Sequence, residues 1–170
     1  MRLKKIGISG QDGFIGSHLV NHLQLEKRYE IVHFEKVYFD DLERLISWAK
    51  KCDVIIHLAG ANRDSSESRL FDTNVALARK LTVACSSKES CNHLIFASSI
   101  QEEVDSAYGR SKKEARVLFE EWSKAEGRIF NGLIIPNVFG PFCKPHYNSV
   151  VATFSSQLIE GETPRVDTDN

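Results

Sequence analysis

Apolar runs rich in β-branched residues, at about 3–9, 30–35, 53–59, 93–98 and 129–135, alternate with stretches near 14–25, 41–51, 66–88 and 109–126 where apolar positions recur at helical spacing. This alternation of two periods predicts βαβ units on a parallel sheet, an α/β fold. "CDVIIHLAG" (52–60) and "HLIFASS" (93–99) are nearly unbroken apolar runs, the pattern of central strands covered by helices on both faces. Trp48, Phe119 and Trp122 fall at helix positions that predict core packing. "YNSVVATFSSQLIEG" (147–161) predicts one more helix, followed by a turn around Gly161 and Pro164. No strand or helix follows in the sequence, so the sheet is expected to be incomplete toward its C-terminal side.

Composition changes the picture mainly by exclusion. At 170 residues, 42% hydrophobic and 26% charged, the chain can bury one ordinary core. Its 22 basic and 23 acidic residues leave a net charge of −1 with no basic cluster, so nucleic acid is not an expected partner. "MRLKKIGISG" lacks the apolar core of a signal peptide, and no apolar run approaches ~18 residues, so a cytoplasmic protein without a membrane partner is expected. Cys52, Cys85, Cys91 and Cys143 form no Cys-x-x-Cys pair and are read as reduced thiols. His18 and His22 share a helix face but have neither an intervening Glu nor a third ligand nearby, and no metal is expected.

"GISGQDGFIGSHL" (7–19) places Gly10, Gly13 and Gly16 at every third position between a strand and a helix. A glycine turn feeding a helix N-terminus gathers backbone N–H groups and the positive end of the helix dipole, which suits a pyrophosphate. Glycine is needed where a Cβ would block that approach. The reading is a Rossmann-type doubly wound sheet with NAD or NADP as cofactor. The acidic residue that holds the adenosine ribose falls about 20 residues on. Glu35 in "EIVHFEK" sits there and favours the ribose hydroxyls of NAD, whereas His33 or Lys36 would neutralise the 2′-phosphate of NADP. The choice stays open.

In "YGRSK", Tyr108 and Lys112 lie one helical turn apart, so phenol and ammonium share a face, and a nearby positive charge favours the phenolate. Ser99, ending "IFASS", is placed to hydrogen-bond a substrate oxygen beside that tyrosine. The spacing of the glycines, the Tyr-x-x-x-Lys pair and Asn74 in the long middle helix resemble the extended short-chain dehydrogenases/reductases.

"HLAG" (57–60), "SSIQ" (98–101), "YGRSK" (108–112), "PNVFG" (136–140) and above all "CKPHYNSVVATF" (143–154) resemble the CapF/WbjC type of capsular-polysaccharide UDP-sugar reductase over essentially the whole chain. The resemblance implies NAD(P)H-dependent reduction of the 4-keto group of a UDP-2-acetamido-2,6-dideoxy-hexulose, toward UDP-N-acetyl-L-fucosamine, by an enzyme expected to be a homodimer at full length. It implies catalytic roles for Ser99, Tyr108 and Lys112. It assigns Gly10, Gly13, Phe14, Ile15, Gly16, Glu35, Leu58, Ala59, Gly60, Asn74, Ser98, Lys112 and Pro136 to the cofactor. Asn137, Lys144 and Asn148, with Ser99 and Tyr108, are assigned to the UDP-sugar. Residues 1–140 are then the dinucleotide-binding domain and 141–170 the start of the sugar-nucleotide region. Many members carry a C-terminal cupin domain, and none lies within these 170 residues.

Two features favour reduction over related reactions. Sugar dehydratases of this branch carry an acid pair directly after the Ser/Thr, but Ser99 is followed by Ile100 and Gln101, which cannot donate that proton. The gap from Ser99 to Tyr108 is also shorter than in sugar-nucleotide epimerases. One departure is Ile134, where the superfamily often has Arg. Asn62 and Arg63 are open between touching the nucleotide and capping their loop. A nucleotide-sugar 4-epimerase and a dinucleotide-binding module without turnover remain the alternatives.

Overall fold

In the computed structural model, which describes residues 2–166, the alternation resolves into β1 (Lys4–Ser9), α1 (Phe14–Gln24), β2 (Tyr29–Val32), α2 (Leu42–Ala49), β3 (Val54–His57), α3 (Glu67–Cys85), β4 (His93–Ser99), α4 (Ala107–Glu126), β5 (Ile129–Ile135) and α5 (Val150–Ile159). The sheet order is β2-β1-β3-β4-β5. β1 pairs in parallel with both β2 and β3, and β3 with β4, in a register that sets Ser9 opposite His57 and His57 opposite Phe96. The carboxyl ends of β1, β3 and β4 therefore share one edge of the sheet. The chain winds outward in opposite senses on the two sides of β1, and a crevice at such a switch point is where doubly wound sheets take ligands.

One apolar cluster holds this unit together. Leu45 and Trp48 of α2, Ala78, Leu81, Ala84 and Cys85 of α3, and Ala115, Phe119 and Trp122 of α4 pack on Ile55, Leu94 and Phe96. These helix residues recur at three- and four-residue spacing, and the strand residues are alternate positions on one face. Gly7 admits the Trp48 indole, since a Cβ there would overlap the ring and stand 2.6 Å from Cys52 Sγ. Asp41, Ser66, Ser106 and Ser149 cap α2 through α5 by accepting a backbone N–H, and Gly127, at φ +61, ends α4 in the left-handed conformation.

The structure departs from the pattern-based reading in three places. β2 stops at Val32 rather than 35, and residues 36–40 form a 3₁₀ turn, Lys36–Asp40. A second 3₁₀ turn, Ile100–Glu103, follows β4. On the sheet face away from α2, α3 and α4 the central strands are covered unevenly: Ile8 is fully buried there, whereas Ile56 and Ile95 are half-buried. Ile129, Leu133 and Ile134 of β5 are exposed.

The chain divides into two compact units, Met1–Ile134 and Ile135–Asn170. Within the second, Asn137 Nδ2 donates to the Asn148 carbonyl at 3.3 Å, and His146 N donates to Thr153 Oγ1 at 2.9 Å on the first turn of α5. Residues 167–170, the end of the expected sugar-nucleotide region, lie outside the described residues. Among the described residues no helix is long and apolar enough to cross a membrane.

Candidate functional site: a dinucleotide turn and a Tyr-Lys pair

The three glycines of the first turn do different things. Gly10 has φ +81, and a Cβ on it would stand 2.7 Å from Ala59 N, so the turn lies directly against Leu58 and Ala59 after β3. Gly16 lets α1 sit on the turn, because its Cβ would overlap the Gly10 carbonyl and stand 2.8 Å from Gln11 Cα. Gly13 is different, since its Cβ would meet only the Gly10 carbonyl, at 3.2 Å. Gly13 is also the N-cap of α1, the one helix whose first turn has no side-chain cap. The donors of Phe14 and Ile15 are thus left to a ligand or water, on a surface where a larger residue at 13 would intrude. The turn fits a pyrophosphate on physical grounds.

Lys112 Nζ donates to the Ala97 carbonyl at 2.9 Å, anchoring the lysine to β4 two residues before Ser99. The ammonium lies 4.9 Å from the Phe96 ring centroid and 5.7 Å from that of Tyr108. Burial pulls its pKa down to about 8, partly opposed by the negative charge of Glu102. The Tyr108 pKa is raised by burial. The expected lowering by Lys112 is therefore not the state shown here: the cation stands over the ring, and desolvation sets the direction. Gly109 lets the start of α4 close onto the Ile100–Glu103 turn, where its Cβ would overlap the Gln101 carbonyl.

Ser99 Oγ accepts from Gln101 N at 3.2 Å and caps that 3₁₀ turn. Ser98, expected at the cofactor, donates to the Glu102 carboxylate. Glu102 is buried and receives Arg116 Nε on both oxygens, at 3.1 and 2.9 Å, while Arg116 Nη1 pairs with Glu120 at 2.5 Å. The string "QEEVDS" reads as solvated surface, so nothing in the sequence marks Glu102 as interior. Its carboxylate faces Ser98 and Arg116 and is committed there.

Asn74, also expected at the cofactor, is buried and engaged by protein at every polar atom. Its Oδ1 accepts from Ala61 N at 2.7 Å, and its Nδ2 donates to Ala61 O and Ser111 Oγ, both at 2.9 Å. It pins the loop after Gly60 to α4. His57, in the "HLAG" string, pairs its Nδ1 with Ser9 Oγ at 2.6 Å and stacks on Phe96. Burial, then the Lys112 charge, lowers its pKa to about 3, so the ring is neutral. His18 packs edge-on against Phe14.

At the end of β2, the exposed Glu35 accepts from Tyr38 OH at 2.9 Å. His33 Nδ1 meets Gln11 Nε2 at 2.9 Å. Gln11, Ser111 and Glu102 are site-shaping residues that the sequence did not reveal. Pro136, Asn137, Lys144 and Asn148 belong to the second unit, where Pro136, Asn137 and Lys144 are exposed.

The parallel sheet, the glycine turn at its switch point and the Tyr-Lys pair beside β4 define an α/β dinucleotide-binding protein of the extended short-chain type. The chain belongs to the NAD dependent epimerase/dehydratase family, whose model matches residues 6–169. It is 34% identical over 155 residues to the UDP-2-acetamido-2,6-beta-L-arabino-hexul-4-ose reductase of Pseudomonas aeruginosa, covering 91% of this chain and 41% of that protein. The crystal structure of the capsular polysaccharide assembling protein CapF from Staphylococcus aureus aligns over 98% of this chain and 43% of its own, with a TM-score of 0.72 and 31% identity. RMD from Pseudomonas aeruginosa, solved with NADPH, shares the fold at a TM-score of 0.80 and 20% identity, over 93% of this chain and 63% of its own. The resemblance to capsular-polysaccharide UDP-sugar reductases thus holds, and the chain spans less than half the length of the two relatives that carry it.

Proposed function

We propose that this chain carries the cofactor half and the proton-transfer residues of an NAD(P)H-dependent reductase acting on the 4-keto group of a UDP-2-acetamido-2,6-dideoxy-hexulose. The observation that carries the reading is the Ser99, Tyr108 and Lys112 set with Ile100 and Gln101 directly after Ser99, and with Glu102 turned inward onto Arg116. That arrangement supplies a hydrogen-bond donor and a phenol for a carbonyl oxygen, but no acid at the two positions directly after Ser99 for elimination. The name of the Pseudomonas aeruginosa reductase supports the same substrate class.

The Gly10–Gly16 turn would hold the pyrophosphate. When bound, the nicotinamide supplies hydride to the ketone carbon. Tyr108 donates its phenolic proton to the oxygen that becomes the hydroxyl, and Ser99 hydrogen-bonds the same oxygen. Lys112, held by the Ala97 carbonyl, orients the nicotinamide ribose and stabilises the tyrosinate left behind. Asn137, Lys144 and Asn148 would contact the UDP-sugar.

The test follows consumption of NADH and NADPH in the presence of a UDP-linked 2-acetamido-2,6-dideoxy-4-ketohexose. Sugar-dependent consumption that falls about 100-fold in Tyr108→Phe, with nucleotide affinity kept, is the expected result. Interconversion of sugar epimers with no net reductant consumed would replace this reading with an epimerase.

A further inference from the structure

We propose that Gln11 is a specificity-determining residue for the cofactor: its carboxamide ties the ribose-reading end of β2 to the pyrophosphate turn and makes the chain select NADH over NADPH. The inference rests on the dinucleotide reading above.

The β1–β2 ladder ends at the pair Gly7 and Val32. Beyond it, β1 runs on to Ser9 beside β3, but residues 33 and 34 add no further pair to the β1–β2 ladder. The Gln11 side chain takes that place. Its Oε1 accepts from Phe34 N at 3.2 Å, which leaves Nε2 to donate to His33 Nδ1 at 2.9 Å. Gln11 is only 9% exposed, so water competes weakly for these bonds. One residue of the pyrophosphate turn thereby fixes the tip of β2 at two consecutive residues.

The chemistry of the tip follows. A ring nitrogen that accepts cannot also carry a proton, so the Gln11 bond and a doubly protonated His33 exclude one another. That bond turns Nδ1 of His33 toward the pyrophosphate turn and away from an incoming anion. Two residues on, Glu35 is oriented by Tyr38 OH and presents a carboxylate. A carboxylate accepts from ribose hydroxyls and repels a phosphate. With the tether cut, the tip loses its fixed distance from the turn and His33 becomes available to an anion, so discrimination falls.

The experiment titrates NADH and NADPH by nicotinamide fluorescence into the wild-type chain, Gln11→Met, which keeps length and packing, and His33→Ala, an exposed position that removes only the Nε2 contact. Thermal unfolding of each variant checks its fold. The wild type is expected to bind NADH at least about tenfold tighter than NADPH. Gln11→Met is expected to move the ratio of Kd values at least about threefold toward unity, mostly through weaker NADH binding, and His33→Ala to move it in the same direction by less. Equal weakening of both nucleotides would make Gln11 merely structural and overturn the proposal. A wild type that binds both equally, or prefers NADPH, overturns it as well. If Gln11→Met does not fold, an unchanged ratio in His33→Ala overturns it. Absence of saturable binding of either nucleotide to the wild type would instead overturn the dinucleotide reading itself.

Discussion

Asn74 of α3 donates to Ser111 Oγ of α4 at 2.9 Å, and Ser111 Oγ donates in turn to the Tyr108 carbonyl at 2.8 Å. A buried amide thus connects the loop after β3 to the turn of helix that bears Tyr108. Asn74→Ala strips partners from Ala61 N, Ala61 O and Ser111 together. Each buried group left unpaired costs about 1–3 kcal/mol, and the loop can relax toward water, so a loss of about 2–4 kcal/mol is expected in urea unfolding. Ser111→Ala should cost about 1 kcal/mol, and the double variant less than the sum, because the two share a bond.

Gly13 and Gly16 should respond differently to the same change. Gly13→Val meets only the Gly10 carbonyl, at 3.2 Å for its Cβ, so the fold should survive with a loss of about 1 kcal/mol or less while nucleotide binding disappears. Gly16→Val drives a Cβ into the Gly10 carbonyl and the Gln11 backbone, and should reduce stability severely. Circular dichroism melts alongside NADH titrations separate the two. A Gly13→Val chain that binds normally would show that the pyrophosphate does not lie on this turn.

The glycine turn, the helix carrying Tyr108 and Lys112, and the strand ending at Ser99 were legible because each is a local pattern: a spacing, a period or a run. Trp48, Phe119 and Trp122 were legible as core for the same reason and are buried. The protein partners of Asn74 and Ser98 were not. Both are polar residues at family positions, yet their atoms are taken up by Ala61, Ser111 and Glu102, partners set by tertiary contact at separations of up to 37 residues. The early end of β2 was also hidden. "EIVHFEK" is apolar enough to continue as strand, but its ladder with β1 ends at Gly7 and Val32, and the Phe34 N–H is taken by the Gln11 side chain.

Glu102 and Arg116 should show a buried pair's asymmetry. The Glu102 side chain is 3% exposed and that of Arg116 is 25% exposed. Arg116→Met leaves a carboxylate in the interior with the Ser98 hydroxyl and the charge of Lys112 but no ion-pair partner in contact, and should cost about 3–5 kcal/mol. Glu102→Gln leaves Arg116 paired with Glu120 and should cost about 1–2 kcal/mol. Adding Glu102→Gln to Arg116→Met should recover part of the loss, because the uncompensated charge is gone. Additive losses in denaturant titration would mean that the two side chains do not interact.

Lys112 is held at an energetic cost that pH can reveal. Its pKa is lowered by burial from 10.5 to about 8 in the folded chain, so folding favours the neutral amine. Below pH 8 both folded and unfolded chains carry the proton, and the full burial penalty, about 3 kcal/mol, stands against the fold. Between pH 8 and 10.5 the unfolded chain binds more protons than the folded one, so stability rises with pH and the penalty fades. Lys112→Met removes the ammonium but leaves the Ala97 carbonyl without its donor. It should stabilise the chain at pH 7 by about 1–3 kcal/mol, with the advantage over wild type shrinking from pH 8 to 10 while ketone reduction is lost. Urea unfolding of both proteins across that range makes the check. A gap that stays constant or widens toward pH 10 would show that Lys112 is not a desolvated cation in the folded state.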